Sequence, residues 1–171
     1  INKARRLANE YNASIVPGAM VEESFTQEAM LAAAEDYDNQ LNLGGDGIMG
    51  YVEIPLIKVN LPIYHGTDSE TLDAGIGHLL GSSLPVGGTD THSVLTAHSG
   101  MANQKLFFFL DKLKQGDVFY LRVLDENLAY QVDEINTVLP HESELLEIAE
   151  GEDYCTLVTC TPFGVNTHRL L

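Results

Sequence analysis

Hydrophobic and polar positions follow two different rhythms along this chain, and the change falls near residue 48. Before it, Ala4, Leu7, Ala8 and Tyr11 recur at helical spacing with Lys3, Arg5 and Arg6 at other positions, so a short amphipathic helix is expected over 4–11. Its basic start suits either a solvated helix face or a segment that follows a membrane anchor. Val16-Pro17-Gly18-Ala19 interrupts it. Ser24-Phe25-Thr26-Gln27 has the capping-box pattern, and Ala29, Ala33, Tyr37 and Leu41 then recur every four residues. A second helix of about four turns is expected there, closing at Gly44-Gly45.

From residue 48 the period is two. Met49 to Ile54 reads as a strand stopped by Pro55; Ile57 to Leu61 alternates and ends at Pro62, with Ile63-Tyr64 leading to a His65-Gly66 turn. Gly75 to Leu80 and Ser93 to Ala97 are further strands, separated by turn chemistry from Gly81 to Gly88, and His98 stands directly after the second. Asn103 to Leu113 returns to helical period with Leu106, Phe109, Leu110 and Leu113 on one face. Val118 to Leu124 and Leu128 to Ile135 form a hairpin around Asp125-Glu126-Asn127; Val138-Leu139 precedes Pro140, and Leu145 to Ile148 is a short helical or turn segment. Thr156 to Cys160 is a buried strand with Thr156, Val158 and Cys160 on one face, and His168 to Leu171 starts another beyond the Pro162 to Asn166 loop. Many short strands broken by proline and glycine predict a closed, mainly β barrel over 48–171, preceded by a helical extension over 1–47.

Composition narrows the function classes. With 171 residues, 44% hydrophobic and 20% charged, the chain suits one globular core that needs no staples. The balance of 25 acidic against nine basic residues argues against nucleic acid and against adhesion of the folded domain to an anionic membrane surface. No stretch has the length of a membrane span, and no signal peptide is recognisable. The chain starts at Ile1 and stops at Leu171 inside a strand pattern, which reads as a fragment or an ordered core.

Two cysteines are present, Cys155 and Cys160. In one strand, five residues span about 16 Å and the odd separation puts the two on opposite faces, so no disulfide joins them, and their spacing is not that of a zinc site. The strand and loop pattern brings Cys160 and Arg169 to one rim. A thiol beside a positive charge gains thiolate character, and a guanidinium can hold an oxyanion or a substrate carbonyl. An ordinary core thiol beside a surface arginine is the competing reading on spacing alone.

The run Thr156-Leu157-Val158-Thr159-Cys160 with Arg169 nine residues on resembles the signature of sortases, cysteine transpeptidases of Gram-positive cell surfaces, and its continuation to Leu171 resembles the class C, pilus-building group. The similarity extends upstream through Met49 to Pro55, Leu61 to Gly66, Gly77 to Gly88 and Ser93 to Gly100. It implies an eight-stranded barrel, with Cys160 as nucleophile, His98 as acid and base, and Arg169 as oxyanion or backbone-orienting group. His98 alone among six histidines matches the family's catalytic position; spacing does not choose among them.

The same resemblance implies a substrate with an LPxTG-like sorting signal, cleaved between threonine and glycine through a thioacyl-enzyme. A pilin lysine, or a cell-wall precursor in a wall-anchoring enzyme, then resolves it. No metal or organic cofactor is implied. The enzyme would work at the outer face of the plasma membrane, held by anchors outside this chain. Class C sortases commonly carry an Asp-Pro-aromatic lid before the barrel; no such tripeptide occurs here, and residues 13–25 are the candidate lid segment or an ordinary linker. A purely hydrolytic cysteine peptidase and a catalytically silent binding module remain as alternatives. Ser82-Ser83 with Gly87-Gly88 is not a phosphate cradle, because no P-loop lysine follows.

Overall fold

The computed structural model describes residues 2–14, 40–42, 47–66, 71–72, 75–79, 82–97, 113–124, 126–138, 151–161 and 168–170. Helix α1 spans Asn2–Ser14, longer at both ends than the periodic segment. The apolar stripe is narrower than its spacing implies, because Ala8 and Tyr11 pack on the core whereas Leu7 is exposed. Most of the expected second helix lies outside the described residues. Leu41, the last of its expected periodic residues, sits in a turn with φ of 53°, a left-handed conformation not found inside an α-helix. The Asn103–Leu113 helix, apart from its last residue, and the Leu145–Ile148 segment also lie outside them.

Nine strands are present among the described residues: β1 (Ile48–Ile54), β2 (Val59–His65), β3 (Ile76–His78), β4 (Thr91–Thr96), β5 (Val118–Val123), β6 (Glu126–Gln131), β7 (Thr137–Val138), β8 (Asp153–Thr161) and β9 (His168–Leu170). They form one sheet in the order β6-β5-β1-β2-β3-β4-β8-β9-β7, a nearly closed barrel. The expected mainly β barrel is borne out, with nine strands among the described residues where eight were expected. Pairing is mixed: β2 with β3 and β4 with β8 are parallel, the rest antiparallel.

Alternation along the strands fills the barrel. Val52 and Ile54 of β1, Ile63 of β2, Ile76 of β3, Leu95 of β4, Leu121 of β5 and Leu157 of β8 form its buried centre. Between them Tyr51 and Arg122 face solvent. Burying side chains of this size contributes about 1.5–3 kcal/mol each, so this inward set is the main stabilising term.

Several boundaries differ from expectation: the strand expected from Ile57 starts at Val59, those expected from Ser93 and Thr156 start at Thr91 and Asp153, and that expected over Leu128 to Ile135 is Glu126–Gln131. Pro62 does not stop its strand, since β2 runs through it with Tyr51 as its partner on β1. A Cβ built on Gly75 would lie 3.0 Å from the Pro62 carbonyl oxygen, so that peptide edge faces the β3 side. The ladder to β3 begins only at Ile63, and no bond is lost through the missing N–H. The hairpin turn falls earlier than Asp125 to Asn127, because Val123 already pairs with Glu126. Leu124 takes a φ of 58° there, as a two-residue hairpin loop requires.

Candidate active site

Strand β8 carries both cysteines, and its alternation separates them. Leu157 belongs to the barrel core and Cys155 packs against the same cluster. Burial, and secondly the carboxylate of Asp153, push the Cys155 thiol far up from its ordinary range. Cys155 is a free thiol held protonated on the core side, unsuited to nucleophilic attack at neutral pH. Position 160 has the opposite parity and shares a face with Thr156 and Val158, as the alternation predicts. Val158 and, on β4, Val94 are buried although both stand outside the central cluster.

The end of β8 forms a transverse row with β9 and β7. Cys160 pairs with Arg169, and Arg169 pairs on its other side with Val138. Directly opposed residues of antiparallel strands lie on the same face of the sheet, about 4.5–5.5 Å apart between Cα atoms. The backbone therefore joins positions 160 and 169 although a loop separates them in sequence. His98 lies outside the described residues. The described part of that chain ends at Ala97, whose N–H donates to the Val158 carbonyl at 3.1 Å and extends the parallel β4–β8 ladder past Thr96. Of the candidate lid, α1 accounts for Ala13 and Ser14; the remainder to residue 25 lies outside the described residues.

The other edge of β4 is held in a way the sequence did not announce. β3 pairs with β4 only at Gly77–Thr96 and His78–Leu95. Farther along, serine hydroxyls take over: the His92 N–H donates to Ser83 Oγ at 2.9 Å, the Val94 N–H to Ser82 Oγ at 3.2 Å, and the Ser83 N–H returns to the His92 carbonyl at 3.0 Å. The Ser82–Ser83 segment thus acts as a substitute strand. His78 braces it, its Nε2–H donating to the Ser83 carbonyl at 2.7 Å and lying 3.0 Å from Ser82 Oγ. His78 lies inside β3 and is fully buried. Burial lowers its pKa to about 4, against an upward pull from the Ser83 bond and with a smaller downward push from its β2 partner His65, so the ring is neutral at pH 7.

His92 is nearly buried within β4, where Nε2 lies 2.6 Å from Thr156 Oγ1 and the ring tilts against Tyr154 at 5.7 Å. It is a structural histidine by its contacts. At the far end of β8, Asp153 accepts from the Gly88 N–H at 2.9 Å and from the Tyr130 hydroxyl at 2.8 Å, tying the loop before β4 to β6. Among the described residues no group of three or more His, Cys, Asp or Glu side chains could hold a metal ion, and no helix is long and apolar enough to cross a membrane. Chemically, β8 and β9 bring a cysteine and an arginine together as one cross-strand pair, beside a strand whose sequence continues into a histidine.

Comparison with known proteins points the same way. A family model described as Sortase domain matches residues 52–171. Sortase C1 from Streptococcus agalactiae has a solved structure that matches with a TM-score of 0.88 at 47% identity, covering 99% of this chain and 85% of that one. Sortase C-1 from Actinomyces oris matches with a TM-score of 0.87 at 43% identity, covering 99% and 93%. Sortase A of Streptococcus agalactiae serotype III (strain NEM316) is 28% identical over 164 residues, 94% of this chain and 61% of that protein. The chain therefore spans about three fifths of the length of that curated relative.

Proposed function

This chain belongs to the sortase family, and on that premise we propose that it is a cysteine transpeptidase acting on LPxTG-like sorting signals, with Cys160, His98 and Arg169 as its catalytic residues. The class C resemblance agrees with the sortase C neighbours, at 43% and 47% identity. One observation carries the residue roles: Cys160 and Arg169 are cross-strand partners at the end of β8. His98 follows Ala97 through one peptide bond, about 3.8 Å between Cα atoms, and Ala97 is bonded to the strand of Cys160 two residues before it.

In this reaction the Cys160 thiolate attacks the carbonyl carbon of the signal's threonine. Negative charge gathers on the carbonyl oxygen, where Arg169 stabilises it. Protonated His98 gives its proton to the departing glycine nitrogen as the C–N bond breaks, leaving a thioacyl-enzyme and a neutral imidazole. A lysine ε-amine of a second pilin then attacks the thioester while His98 takes its proton, and the Cys160 thiolate leaves. The product is an isopeptide bond between subunits, and the enzyme returns to its starting protonation. An ordinary thiol, with pKa about 8.5, is only a few per cent thiolate at pH 7, so a small reactive fraction contributes substantially to the rate. We place the reaction at the outer face of the plasma membrane of a Gram-positive bacterium, where the sorting signals of surface proteins are presented.

Incubation with an LPxTG-type peptide and a lysine donor, followed by mass spectrometry, tests this directly. The expected result is an acyl adduct on Cys160 and an amide-linked product, both lost in Cys160→Ala. Free acid as the sole product, even with amine in excess, would convert the assignment to a hydrolytic peptidase. The pH–rate profile bears on the thiolate fraction: a rate flat across the neutral range together with a thiol pKa below about 5 would contradict a small reactive fraction.

A further inference from the structure

Helix α1 does more than cover the barrel. Asn12, buried near its C-terminal end, donates from Nδ2 to the Leu84 carbonyl at 3.3 Å and accepts the Leu84 N–H on Oδ1 at 2.6 Å. Its side-chain amide thus pairs with both backbone groups of one residue, as a neighbouring strand's peptide would, across 72 positions of sequence. Leu84 follows Ser82 and Ser83, whose hydroxyls hold the N–H groups of Val94 and His92 along the edge of β4 away from β8. β4 in turn ends at Thr96, and Ala97, bonded to Val158, is the last residue before His98.

These contacts form an unbroken series of short bonds, from α1 through Leu84 and the two serines into β4. Ala8 packs the helix into the core cluster that also holds Leu84, and the Arg5–Glu126 ion pair at 3.3 Å ties its start to β6. Asn12 adds the directional bonds, a donor and an acceptor on one residue, that fix the segment's register against the helix. We propose that Asn12 is a positioning residue for the general acid of the reaction above: through Leu84 and the Ser82–Ser83 edge it fixes where β4 delivers His98. This inference rests on the proposed transpeptidase reading.

Position matters most where a proton must be handed over. Amide cleavage requires a proton on the leaving nitrogen, and a misplacement of about 1 Å is enough to cost on the order of 100-fold in rate. A thioester at the scissile bond leaves as a thiolate, whose conjugate acid has a pKa of about 8.5 and needs no proton. Attack by the Cys160 thiolate then exchanges one thioester for another and releases the peptide's thiolate, with no call on the general acid.

The test measures, by mass spectrometry under single-turnover conditions, the rate of acyl-enzyme formation on Cys160 from two peptides that differ only in an amide or a thioester at that bond. In Asn12→Ala, acylation by the amide peptide should fall about 10- to 100-fold, while acylation by the thioester changes less than about threefold. Arg5→Ala, which loosens the same helix away from Leu84, should leave the ratio of the two rates unchanged. Denatured protein run alongside gives the background exchange of unfolded thiols with the thioester, which is subtracted, and both rates are taken per folded molecule by circular dichroism. An equal loss on both peptides, or no loss on either, would overturn the role of Asn12 and leave the transpeptidase reading standing. Wild-type protein that forms no adduct with either peptide would take both down.

Discussion

His78 makes stability depend on pH in a window set by its burial. Its pKa is about 4 in the folded protein against an ordinary 6.5. Above pH 6.5 neither state holds the extra proton and the contribution is whole. As the pH falls, the unfolded chain takes up a proton that the folded one refuses, so stability declines until the folded pKa is reached. The full difference of about 2.5 units corresponds to roughly 3 kcal/mol, and at pH 5 about 2 kcal/mol of it should already be gone. That is a large part of the 5–15 kcal/mol typical of a whole domain.

Urea unfolding of wild type and His78→Gln at pH 7.5 and pH 5 isolates the effect. The chain's 25 acidic residues also begin to titrate at the lower pH, but they are common to both proteins and cancel in the comparison. Glutamine retains a donor for the Ser83 carbonyl and removes the titration. Wild type should lose about 2 kcal/mol more than the variant between the two pH values. Equal losses, or an NMR titration that finds His78 near 6.5, would refute the claim that the ring is buried neutral beneath the β4 edge.

Three shorter expectations follow from other contacts. Iodoacetamide at pH 7.5 should alkylate Cys160 in the native protein and reach Cys155 only after unfolding, because burial and Asp153 keep the Cys155 thiol protonated; peptide mapping reads this, and prompt labelling of Cys155 would contradict it. Gly77→Ala should cost about 1–3 kcal/mol in denaturant unfolding, since a Cβ there would clash with the Gly66 carbonyl oxygen and lie 3.0 Å from Leu72 Cδ2, forcing β2 and β3 apart; an unchanged midpoint would show that the strands yield freely. Asp153→Ala removes the acceptor of the Gly88 N–H and the Tyr130 hydroxyl, and should lower stability by about 1–3 kcal/mol; Tyr130→Phe should lower it by about 1 kcal/mol, and the reverse ranking in thermal melts would count against Asp153 as the common anchor.

Much of the barrel was legible because strand signals are local. Val52, Ile54 and Leu121 alternate with polar neighbours, and β-branched residues dominate Thr156 to Cys160, so strand positions and inward faces follow from period two. The parity that separates Cys155 from position 160 was likewise readable. Pro62 misled because proline reports only a missing donor, and whether a partner needed that donor depends on where β3 begins. Leu124 misled because a left-handed leucine is favoured by nothing local and is imposed by the pairing of Val123 with Glu126.

By itself, then, the amino-acid order determined the alternation, the short strands, the opposite parity of the two cysteines and the motif that marks a sortase. Only the tertiary structure decided which strands are neighbours, that Arg169 stands across from Cys160, that His78 lies buried under two serines, and that Asn12 reaches Leu84. The division has one physical cause. Periodicity and propensity act over a few residues, whereas register, burial and hydrogen-bond partners depend on surfaces that chain closure brings together from distant positions.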